Sequence, residues 1–467
     1  MATSIKRSKG SQSSLQIGTF SYWIKIATPN SVSGGFQVYS NTVENDNNRG
    51  YWQYTSAGKW RMVDNDASGT HIQLRTNRLF RDSNAWTHIV IRIDTTQSTN
   101  SDRVRLYVNG VQETSFDQTD YPAQNENLKI FEGGQTNREY MNRIYGGSPQ
   151  SANWYVSHFH YCDGQSYGPD SFGQTDATTG EWSIKTAPNV TYGNQGWFMF
   201  KDDASLNDDS GNSNNWSSDS GTIQKSEDNP SNIFATLNPL FYSADVTISD
   251  GNTTAVESSN NWRSAYSTLG VSTGKWYWEA QISYQSGNEG YFGLAHEDHM
   301  NGYDVTYGGS SQTAAPNRGG YDYLGYSTKS FGIYSNGNQD YPSTTTYTGA
   351  YNASTYVMSF ALDLPNRKLY VARNGVWTNA SNNDWGSSTF NASTGDIDIS
   401  GKIPASGFVF PGFSPNESTW KVNFGNGYFG TTAISSPQQD DAGLGNFQYN
   451  PPTGYYSICT KNINTYG

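Results

Sequence analysis

Residues 86–111 read WTHIVIRIDTTQSTNSDRVRLYVNGV, and residues 356–377 read YVMSFALDLPNRKLYVARNGVW. In the first stretch Ile89, Ile91 and Ile93 alternate with other residues, which is the period of a half-buried antiparallel strand. In both stretches a second strand containing Leu-Tyr-Val follows and ends at Asn-Gly. Asn-Gly is a strong hairpin-turn signal, because both residues accept positive φ. The two stretches therefore predict two β-sandwich domains, each built on such a hairpin.

The composition indicates an all-β fold. Charged residues make up 15% of the 467 residues, aromatic residues another 15%, and there are 48 glycines. Few of these residues favour helix and many favour strands and turns. The aromatic content also argues against a disordered chain. A chain of this length is expected to hold two or three domains, each with its own core.

The charge and the termini exclude several classes of protein. A net charge of −12 argues against a basic nucleic-acid-binding face and against binding to an anionic membrane surface. No run approaches the roughly 20 apolar residues that span a bilayer. The first residues lack the apolar core of a secretory signal, so we expect no membrane insertion and synthesis in a cytoplasm. Cys162 and Cys459 lie far apart, which predicts two thiols rather than a disulfide framework.

Strand-like segments separated by Asn, Gly, Ser and Asp clusters divide the chain into two parts. The first predicted sandwich covers residues 1–206 and the second covers residues 233–467. Between them, residues 207–232 include DDSGNSNNWSSDSG and carry few apolar groups, so we expect a polar linker there.

The first part resembles the concanavalin A-like lectin (laminin G-like) domains of phage and marine viral proteins. The similarity is carried by WTHIVIRIDTTQ and DRVRLYVNG, by DGQSYGPDSFG at residues 163–173 and by TGEWSIK at residues 179–185. The second part resembles a SPRY domain of the kind that follows such a lectin domain. GKWYWE at residues 274–279, GYFGLA, ALDLPNRKLYVARNG and VNFGNGYF at residues 422–429 occur in the expected order. The resemblance implies two tandem jelly-roll sandwiches in a virus-encoded protein, without implying one ligand.

Candidate catalytic acids are few. Glycoside hydrolysis needs two carboxylates across the scissile bond, and the nearest arrangement is Asp396 and Asp398 in GDIDIS. This segment lacks a third acid, so an exposed strand edge is the preferred interpretation. Glu279 is a lone acid on a predicted core strand and is expected to pair with a neighbouring strand. We therefore predict no catalytic residues.

Candidate metal ligands are also weak. His158 and His160 share one side of a strand, where they can bind a metal or stack across a symmetry axis in an oligomer. The preferred interpretation is a polar strand face. His296 and His299 in HEDH are spaced by three residues and lie where no helix is predicted, unlike the zinc motif H-E-x-x-H. The remaining oxygen-rich group lacks the alternating pattern of a calcium loop and is expected to form Asx-turns; its members are Asp202, Asp203, Asp208 and Asp209. No metal or cofactor is predicted.

Sugar-binding residues are not assigned at this point. Trp52 and Trp60 flank a predicted hairpin and can reach a surface, but tryptophans also build sandwich cores. The N-x-S/T matches at Asn352 and Asn379 are expected by chance in a chain rich in Asn, Ser and Thr.

Together these observations predict a non-enzymatic structural protein on the exterior of a phage virion, made in the host cytoplasm. Its lectin-like domains would bind host-surface glycans from a capsid decoration, tail or fibre. Multivalent display would strengthen weak sugar contacts. We expect a homo-oligomer that contacts other capsid or tail proteins. The alternatives are a purely architectural virion protein without a glycan ligand, and a carbohydrate-active enzyme or binding module.

Overall fold

The protein is described by a computed structural model. It describes residues 2–28, 35–42, 47–242, 245–258, 263–300, 305–307, 310–312, 324–325, 329–335, 339–340, 356–379 and 385–467. Two compact units emerge. The N-terminal unit comprises Met1–Lys225 with Asn229–Ser231, and the C-terminal unit comprises Ser226–Asp228 with Asn232–Gly467. No helix in the described ranges is both long enough and apolar enough to cross a membrane.

The N-terminal unit consists almost entirely of antiparallel strands. Its strands are β1 (Ser4–Lys9), β2 (Ile17–Ile26), β3 (Phe36–Thr42), β4 (Arg49–Tyr54), β5 (Trp60–Asp66), β6 (Gly69–Thr76), β7 (Thr87–Asp94), β8 (Val104–Val108), β9 (Val111–Glu113), β10 (Phe116–Asp120), β11 (Gln135–Met141), β12 (Trp154–Asp163), β13 (Gly173–Thr175), β14 (Trp182–Ile184), β15 (Trp197–Met199) and β16 (Ser217–Ser220). A single helical turn, α1 (Asn100–Arg103), precedes β8, and a 3-10 turn spans Pro169–Ser171.

Two sheets of the described residues enclose the N-terminal core. One has eight strands in the order β10-β6-β5-β4-β3-β11-β1-β16, and the other has six in the order β15-β12-β2-β7-β8-β9. Alternate residues of each strand enter the core, as the period of two requires. Aromatic rings fill much of it, with Phe20 stacked on Tyr161 at 4.4 Å between ring centroids. The predicted antiparallel sandwich is thus confirmed for this unit.

The C-terminal unit is a larger antiparallel assembly. Its strands are β17 (Leu237–Tyr242), β18 (Thr247–Ser249), β19 (Thr254–Glu257), β20 (Ala265–Ser267), β21 (Lys275–His296), β22 (Val305–Tyr307), β23 (Ser310–Gln312), β24 (Ser330–Tyr334), β25 (Gln339–Asp340), β26 (Tyr356–Asp363), β27 (Lys368–Arg373), β28 (Val376–Thr378), β29 (Trp385–Ser387), β30 (Asp396–Asp398), β31 (Val409–Asn423), β32 (Tyr428–Phe429), β33 (Thr432–Ala433) and β34 (Tyr456–Ser457). Two short helices, α2 (Glu297–Met300) and α3 (Thr460–Tyr466), complete it.

Two long strands organise the C-terminal unit. Strand β21 pairs with β31 along most of its length, with a register shift between Tyr284 and Glu289. Its first half also pairs with β26, and its second half pairs with β24. The two halves of β21 therefore have different neighbours on one side and share β31 on the other. The core of this unit includes Trp276, Trp278 and Trp420.

Both predicted hairpins are present. Strand β7 pairs with β8, and β26 pairs with β27. The turn that follows each second strand has positive φ at both residues, 48° and 80° at Asn109 and Gly110 and 48° and 77° at Asn374 and Gly375. The Asn-Gly pairs thus adopt the turn that their sequence predicts.

The polar stretch 207–232 differs from the expected linker. Strand β16 lies within it and pairs with β1 at the edge of the eight-stranded sheet. Trp216, just before β16, is 5% exposed and belongs to the N-terminal core. Ile223, partly buried, packs against the same core. These two apolar side chains anchor a stretch of polar composition, and the backbone pairing of β16 needs no apolar residues.

Candidate functional site

The N-terminal histidines form part of a packed layer. Phe159 and Tyr161 of β12 enter the core, so His160 faces the opposite side of the six-stranded sheet. There its Nδ1 lies 2.9 Å from the hydroxyl of Tyr192, and its ring stacks 4.0 Å from Phe198. His160 is 1% exposed, and burial lowers its pKa well below the usual value. A neutral, covered imidazole of this kind serves packing.

His158 and His88 lie on the same side of that sheet. Burial lowers the pKa of His158 to about 4 and that of His88 to about 3. His158 Nδ1 lies 2.8 Å from the Ser157 hydroxyl, at a bulge where His158 adopts a φ of 47°. The Trp182 indole donates to His88 Nδ1 at 2.9 Å. The predicted His158–His160 pair therefore shares a side of β12, with ring centroids 6.4 Å apart. The two rings have different hydrogen-bond partners, and both contact the ring of Phe198.

The HEDH segment differs from its prediction in one respect. It includes a four-residue helix, α2, where no helix was predicted. His296 Nε2 lies 2.6 Å from the Ser406 carbonyl oxygen, and His299 Nε2 lies 2.8 Å from the Tyr266 hydroxyl. Within the residues that the structure describes, no three His, Cys, Asp or Glu side chains form a metal-binding group. The two thiols, Cys162 and Cys459, are free and buried.

The candidate acids each have structural partners. Asp396 pairs with Lys368 at 3.2 Å, across the β27–β30 ladder. Asp398 accepts a hydrogen bond from the backbone N–H of Ser400 at 2.8 Å, and this bond lowers its pKa. An acid held in this way stays ionised, whereas a general acid needs a raised pKa. The geometry of β30 therefore favours a structural role for both residues.

Glu279 is fully buried on β21. Its carboxylate accepts hydrogen bonds from the backbone N–H groups of Gln448 and Tyr449 at 2.7 and 2.8 Å, and from the Tyr277 hydroxyl at 2.9 Å. Burial raises its pKa to about 7 although these bonds oppose the shift. Asn423 of the neighbouring strand β31 also donates to it at 3.4 Å, as the sequence predicts, and the C-terminal tail segment adds the two backbone donors. Glu279 thus holds that segment against β21.

The aspartates after β15 form turns. Asp208 accepts hydrogen bonds from the backbone N–H groups of Phe198, Ser210 and Asn214 at 2.8 to 2.9 Å. Asp203 accepts one from Ser205 at 2.7 Å. Donors therefore occupy oxygens of Asp203 and Asp208, which agrees with the predicted Asx-turns at these two residues. Asp202 instead lies 3.6 Å from Lys201, and the Asp209 backbone N–H donates to the Phe198 carbonyl oxygen at 2.9 Å.

Trp52 and Trp60 lie in the core rather than at a surface, since both are 0% exposed. Because side chains alternate along a strand, their burial turns the next residues, Gln53 and Arg61, toward the outer side of the eight-stranded sheet. The outward residues of neighbouring strands are paired in register, so that they form one row across five strands. We call this the Gln–Arg row; it consists of Gln37, Gln53, Arg61, Arg75 and Gln118.

The Gln–Arg row carries unused hydrogen-bonding capacity. Gln37 donates to Gln53 at 3.0 Å, yet among the described residues its own carbonyl oxygen has no partner. The same holds for the buried Arg61 Nε and for Gln118 Oε1. Each of these atoms is shielded from water, so an unmade hydrogen bond is costly there.

Positive charge accompanies the row. Arg75 and Lys59 both contact Asp117, at 2.6 and 2.5 Å. Arg61 adds a further cation, for which the described residues provide no acidic partner within ion-pair distance. Tyr51 lies on the same outer side, one pair along β4. On a chain with a net charge of −12, this local excess of positive charge stands out.

The sequence reasoning missed this row. Its signal was present as polar residues at alternate positions of YWQYT, KWRMV and HIQLR. Strand order and register, which place those positions side by side, come only from the fold. Of the two N-x-S/T matches, Asn379 lies beside a small pocket of the C-terminal unit, and Asn352 lies outside the described residues.

Comparison with known proteins supports the fold of the N-terminal unit. A family model described as the concanavalin A-like lectin/glucanases superfamily, of laminin G type, matches residues 4–147. This range contains the whole Gln–Arg row. No curated protein matches the chain.

Similar solved structures include stonustoxin, with 17% identity over 40% of this chain and a TM-score of 0.28. The chain spans 27% of the stonustoxin chain. The PSpry domain of TRIM65 and the SPRY domain of human HERC1 each match 40% of this chain with 12% identity. Their TM-scores are 0.24 and 0.26, and the matches cover 89% and 96% of their own chains. The SPRY character of the second unit stays a prediction.

Proposed function

We propose that the protein is a non-enzymatic carbohydrate-binding protein and that the Gln–Arg row is its binding surface. One observation carries the proposal: a continuous outward row of amide and guanidinium groups on a lectin-type sandwich, in which Arg61 has no acidic partner among the described residues. Planar amides and guanidinium groups donate paired hydrogen bonds to hydroxyl and carboxylate oxygens.

The charges of the row favour an acidic sugar. Arg61 has no acidic partner among the described residues, and Lys59 and Arg75 share the single carboxylate of Asp117. A guanidinium fork matches a carboxylate in a bidentate geometry that a lysine does not reproduce. A glycan with uronic acid or other carboxylate groups would supply the missing counter-charge.

Binding without hydrolysis is supported by the candidate acids. Asp396 is neutralised by Lys368, and Asp398 accepts a hydrogen bond within its own turn. A glycosidase needs one carboxylic acid with a raised pKa beside a second carboxylate. Asp398 does not meet the first requirement, because the hydrogen bond from the Ser400 N–H lowers its pKa.

We further propose that the chain is a structural protein on the exterior of a phage particle, where it mediates attachment to host-surface glycans. The sequence resemblance to phage and marine viral lectin-like domains supports this role. Repeated copies on one particle would convert weak sugar contacts into firm attachment.

The binding proposal is tested with immobilised polysaccharides, acidic and neutral, and the full-length protein. We expect the acidic polymers to bind, and Arg61→Gln to weaken this binding about tenfold or more, since a charged hydrogen bond contributes about 1.5–3 kcal/mol. Arg81→Gln is the matched control, because Arg81 is an exposed arginine in the loop after β6. Equal binding by wild type and Arg61→Gln would contradict the assignment of the row.

The same assay separates the alternatives. Release of reducing ends that disappears in Asp396→Asn or Asp398→Asn would show an enzyme. Absence of glycan binding together with tight binding to capsid or tail proteins would show an architectural protein. For the virion proposal, gold-labelled antibodies against the chain should decorate purified intact particles. Unlabelled particles from cells that express the chain would contradict it.

A further inference from the structure

The C-terminal unit contains a pocket that shares no residue with the Gln–Arg row. Its volume is about 220 Å³, and it lies beside β27 and β28. Pockets for drug-sized ligands measure about 300–1,000 Å³, so this one suits a single small ring. The residues that matter are three aromatic ones, Tyr370, Trp377 and Phe390, and three polar ones, Thr389, Asn391 and Thr394.

The aromatic residues form a fixed cluster. Phe390 contacts Trp377 and Tyr370 edge-to-face, with ring centroids 4.9 and 5.0 Å apart. Tyr370 is 2% exposed, and its hydroxyl donates to the Ala392 carbonyl oxygen at 2.8 Å. The hydroxyl is therefore engaged inside the protein. Trp377 is 8% exposed, so it too is held by packing.

The polar residues of the pocket are exposed or half-exposed and have donors to spare. Asn391 uses its side-chain oxygen to accept a hydrogen bond from the Ser393 N–H at 2.9 Å. Its Nδ2 and the hydroxyls of Thr389 and Thr394 have no hydrogen-bond partner in the described part of the chain. These groups are free to bond a ligand in place of water.

The pocket is electrically neutral. Tyr370 is the only ionisable residue among its lining residues, and burial raises the pKa of Tyr370 to about 12. A charged ligand would lose water here without gaining a counter-charge, which is unfavourable. An apolar aromatic cluster beside uncommitted amide and hydroxyl groups matches a molecule with a C–H face and several hydroxyls.

We propose that this pocket binds one neutral sugar ring of the hexose or N-acetylhexosamine class. Phe390, the half-buried ring of the aromatic cluster, packs against the C–H face of the sugar ring. The Asn391 amide and the threonine hydroxyls bond its hydroxyl groups. The protein then has two sugar sites of opposite preference, with the acidic-sugar row in the N-terminal unit and this neutral-sugar pocket in the C-terminal unit.

The test uses saturation-transfer NMR on the full-length protein with free glucose, galactose, N-acetylglucosamine and N-acetylgalactosamine, each at about 10 mM because single-ring sites bind in the millimolar range. We expect transfer to at least one of the four. Asn391→Asp keeps the oxygen that accepts from Ser393 and removes the amide donor. It should weaken binding about tenfold.

Two further variants make the result specific. Phe390→Leu keeps an apolar side chain and removes the ring, and should also weaken binding. Asn238→Asp is the matched control, because Asn238 likewise accepts a hydrogen bond two residues ahead, from Leu240 N–H at 2.9 Å. It should bind like wild type, and unfolding temperatures should confirm that all variants fold.

Several outcomes overturn the pocket proposal. One is transfer to none of the four sugars by the folded wild-type protein. Another is equal transfer in wild type, Asn391→Asp and Phe390→Leu. A third is transfer that is lost in Arg61→Gln and kept in Asn391→Asp, which would assign neutral sugars to the row instead. Loss of acidic-polymer binding in Arg61→Gln with neutral-sugar binding intact supports both sites independently.

Discussion

Glu139 illustrates how much one buried residue can hold together. It is 0% exposed on β11, and its carboxylate lies 3.5 Å from Arg7 Nε and 3.9 Å from Lys9 Nζ. The Tyr39 hydroxyl also donates to it. Burial lowers the pKa of Lys9 to about 8 although Glu139 opposes the shift. Two cations in the N-terminal core thus share Glu139 as an ion-pair partner.

We expect Glu139→Gln to lower the free energy of unfolding of the N-terminal unit by about 3–5 kcal/mol, because both cations lose their counter-charge. Chemical denaturation measures this change. The control is Glu132→Gln, which breaks the partly exposed pair with Lys129 at 2.7 Å. It should change the free energy by about 1 kcal/mol or less. Similar losses in the two variants would contradict the role given to Glu139.

The residue scale also shows where sequence reasoning stops. Trp60 and Arg61 are adjacent in the sequence, but Trp60 is fully buried in the core and Arg61 lies on the outer side of the sheet. Alternation predicts that they differ. It does not say which face is the core until the second sheet is in place.

At the scale of elements, the two Asn-Gly turns share a contact that the motif does not reveal. The Asn109 side-chain oxygen accepts a hydrogen bond from the backbone N–H of His88 at 2.8 Å. The backbone N–H of Asn109 donates to the His88 carbonyl oxygen at 2.9 Å. Asn374 does the same with Val357, at 2.9 and 2.7 Å. Each turn is thereby tied to the start of the preceding strand of its hairpin.

This geometry predicts a graded effect of substitution at Asn109. Asn109→Gly keeps the positive φ and loses the side-chain bond, so we expect a loss of about 1 kcal/mol in unfolding free energy. Asn109→Ala loses both and should cost about 2–3 kcal/mol, because a positive φ strains alanine. Urea unfolding of the two variants measures the difference. If glycine proved worse than alanine, backbone strain would not be the main cause of the alanine variant's loss of stability.

At the scale of the whole molecule, the two units should respond to pH in opposite directions. In the N-terminal unit, burial lowers the pKa of His88 to about 3, that of His158 to about 4 and that of His160 well below its usual value. The unfolded chain therefore binds protons first as the pH falls below about 6.5, and stability is lost. Asp64, whose pKa burial raises to about 7, acts against this trend.

Three histidines gain protons on unfolding and Asp64 loses one, which leaves a net uptake of about two protons. The N-terminal unit should then lose roughly 2–3 kcal/mol per pH unit between pH 6 and 5. In the C-terminal unit, Glu279 has a pKa raised to about 7 by burial. Its folded state binds the proton first, so stability rises as the pH falls from 7 toward about 4.5.

Calorimetry at pH 7 and pH 5 tests this contrast. We expect the N-terminal transition to move to lower temperature at pH 5, and the C-terminal transition to stay or to rise. The Glu139→Gln variant identifies the N-terminal transition, because it lowers that one alone. A parallel downward shift of both transitions would contradict the opposite signs of the histidine and glutamate linkages.

The sequence by itself determined the all-β class and the two hairpins, because these depend on local properties. Alternation of apolar residues sets the strand period, and Asn-Gly sets the sign of φ at the turn. The Asx-turns around Asp208 follow from equally local chemistry. Nothing in these signals depends on which strands become neighbours.

Only the tertiary structure decided which residues meet. It buried Trp52 and Trp60, covered His160, engaged Glu279 with a tail segment far along the chain, and drew residues 207–225 into the first unit. It also assembled the Gln–Arg row, whose members span residues 37 to 118. The physical reason is that burial and cross-strand pairing are non-local: each depends on sheet order and register, which a period of two leaves open.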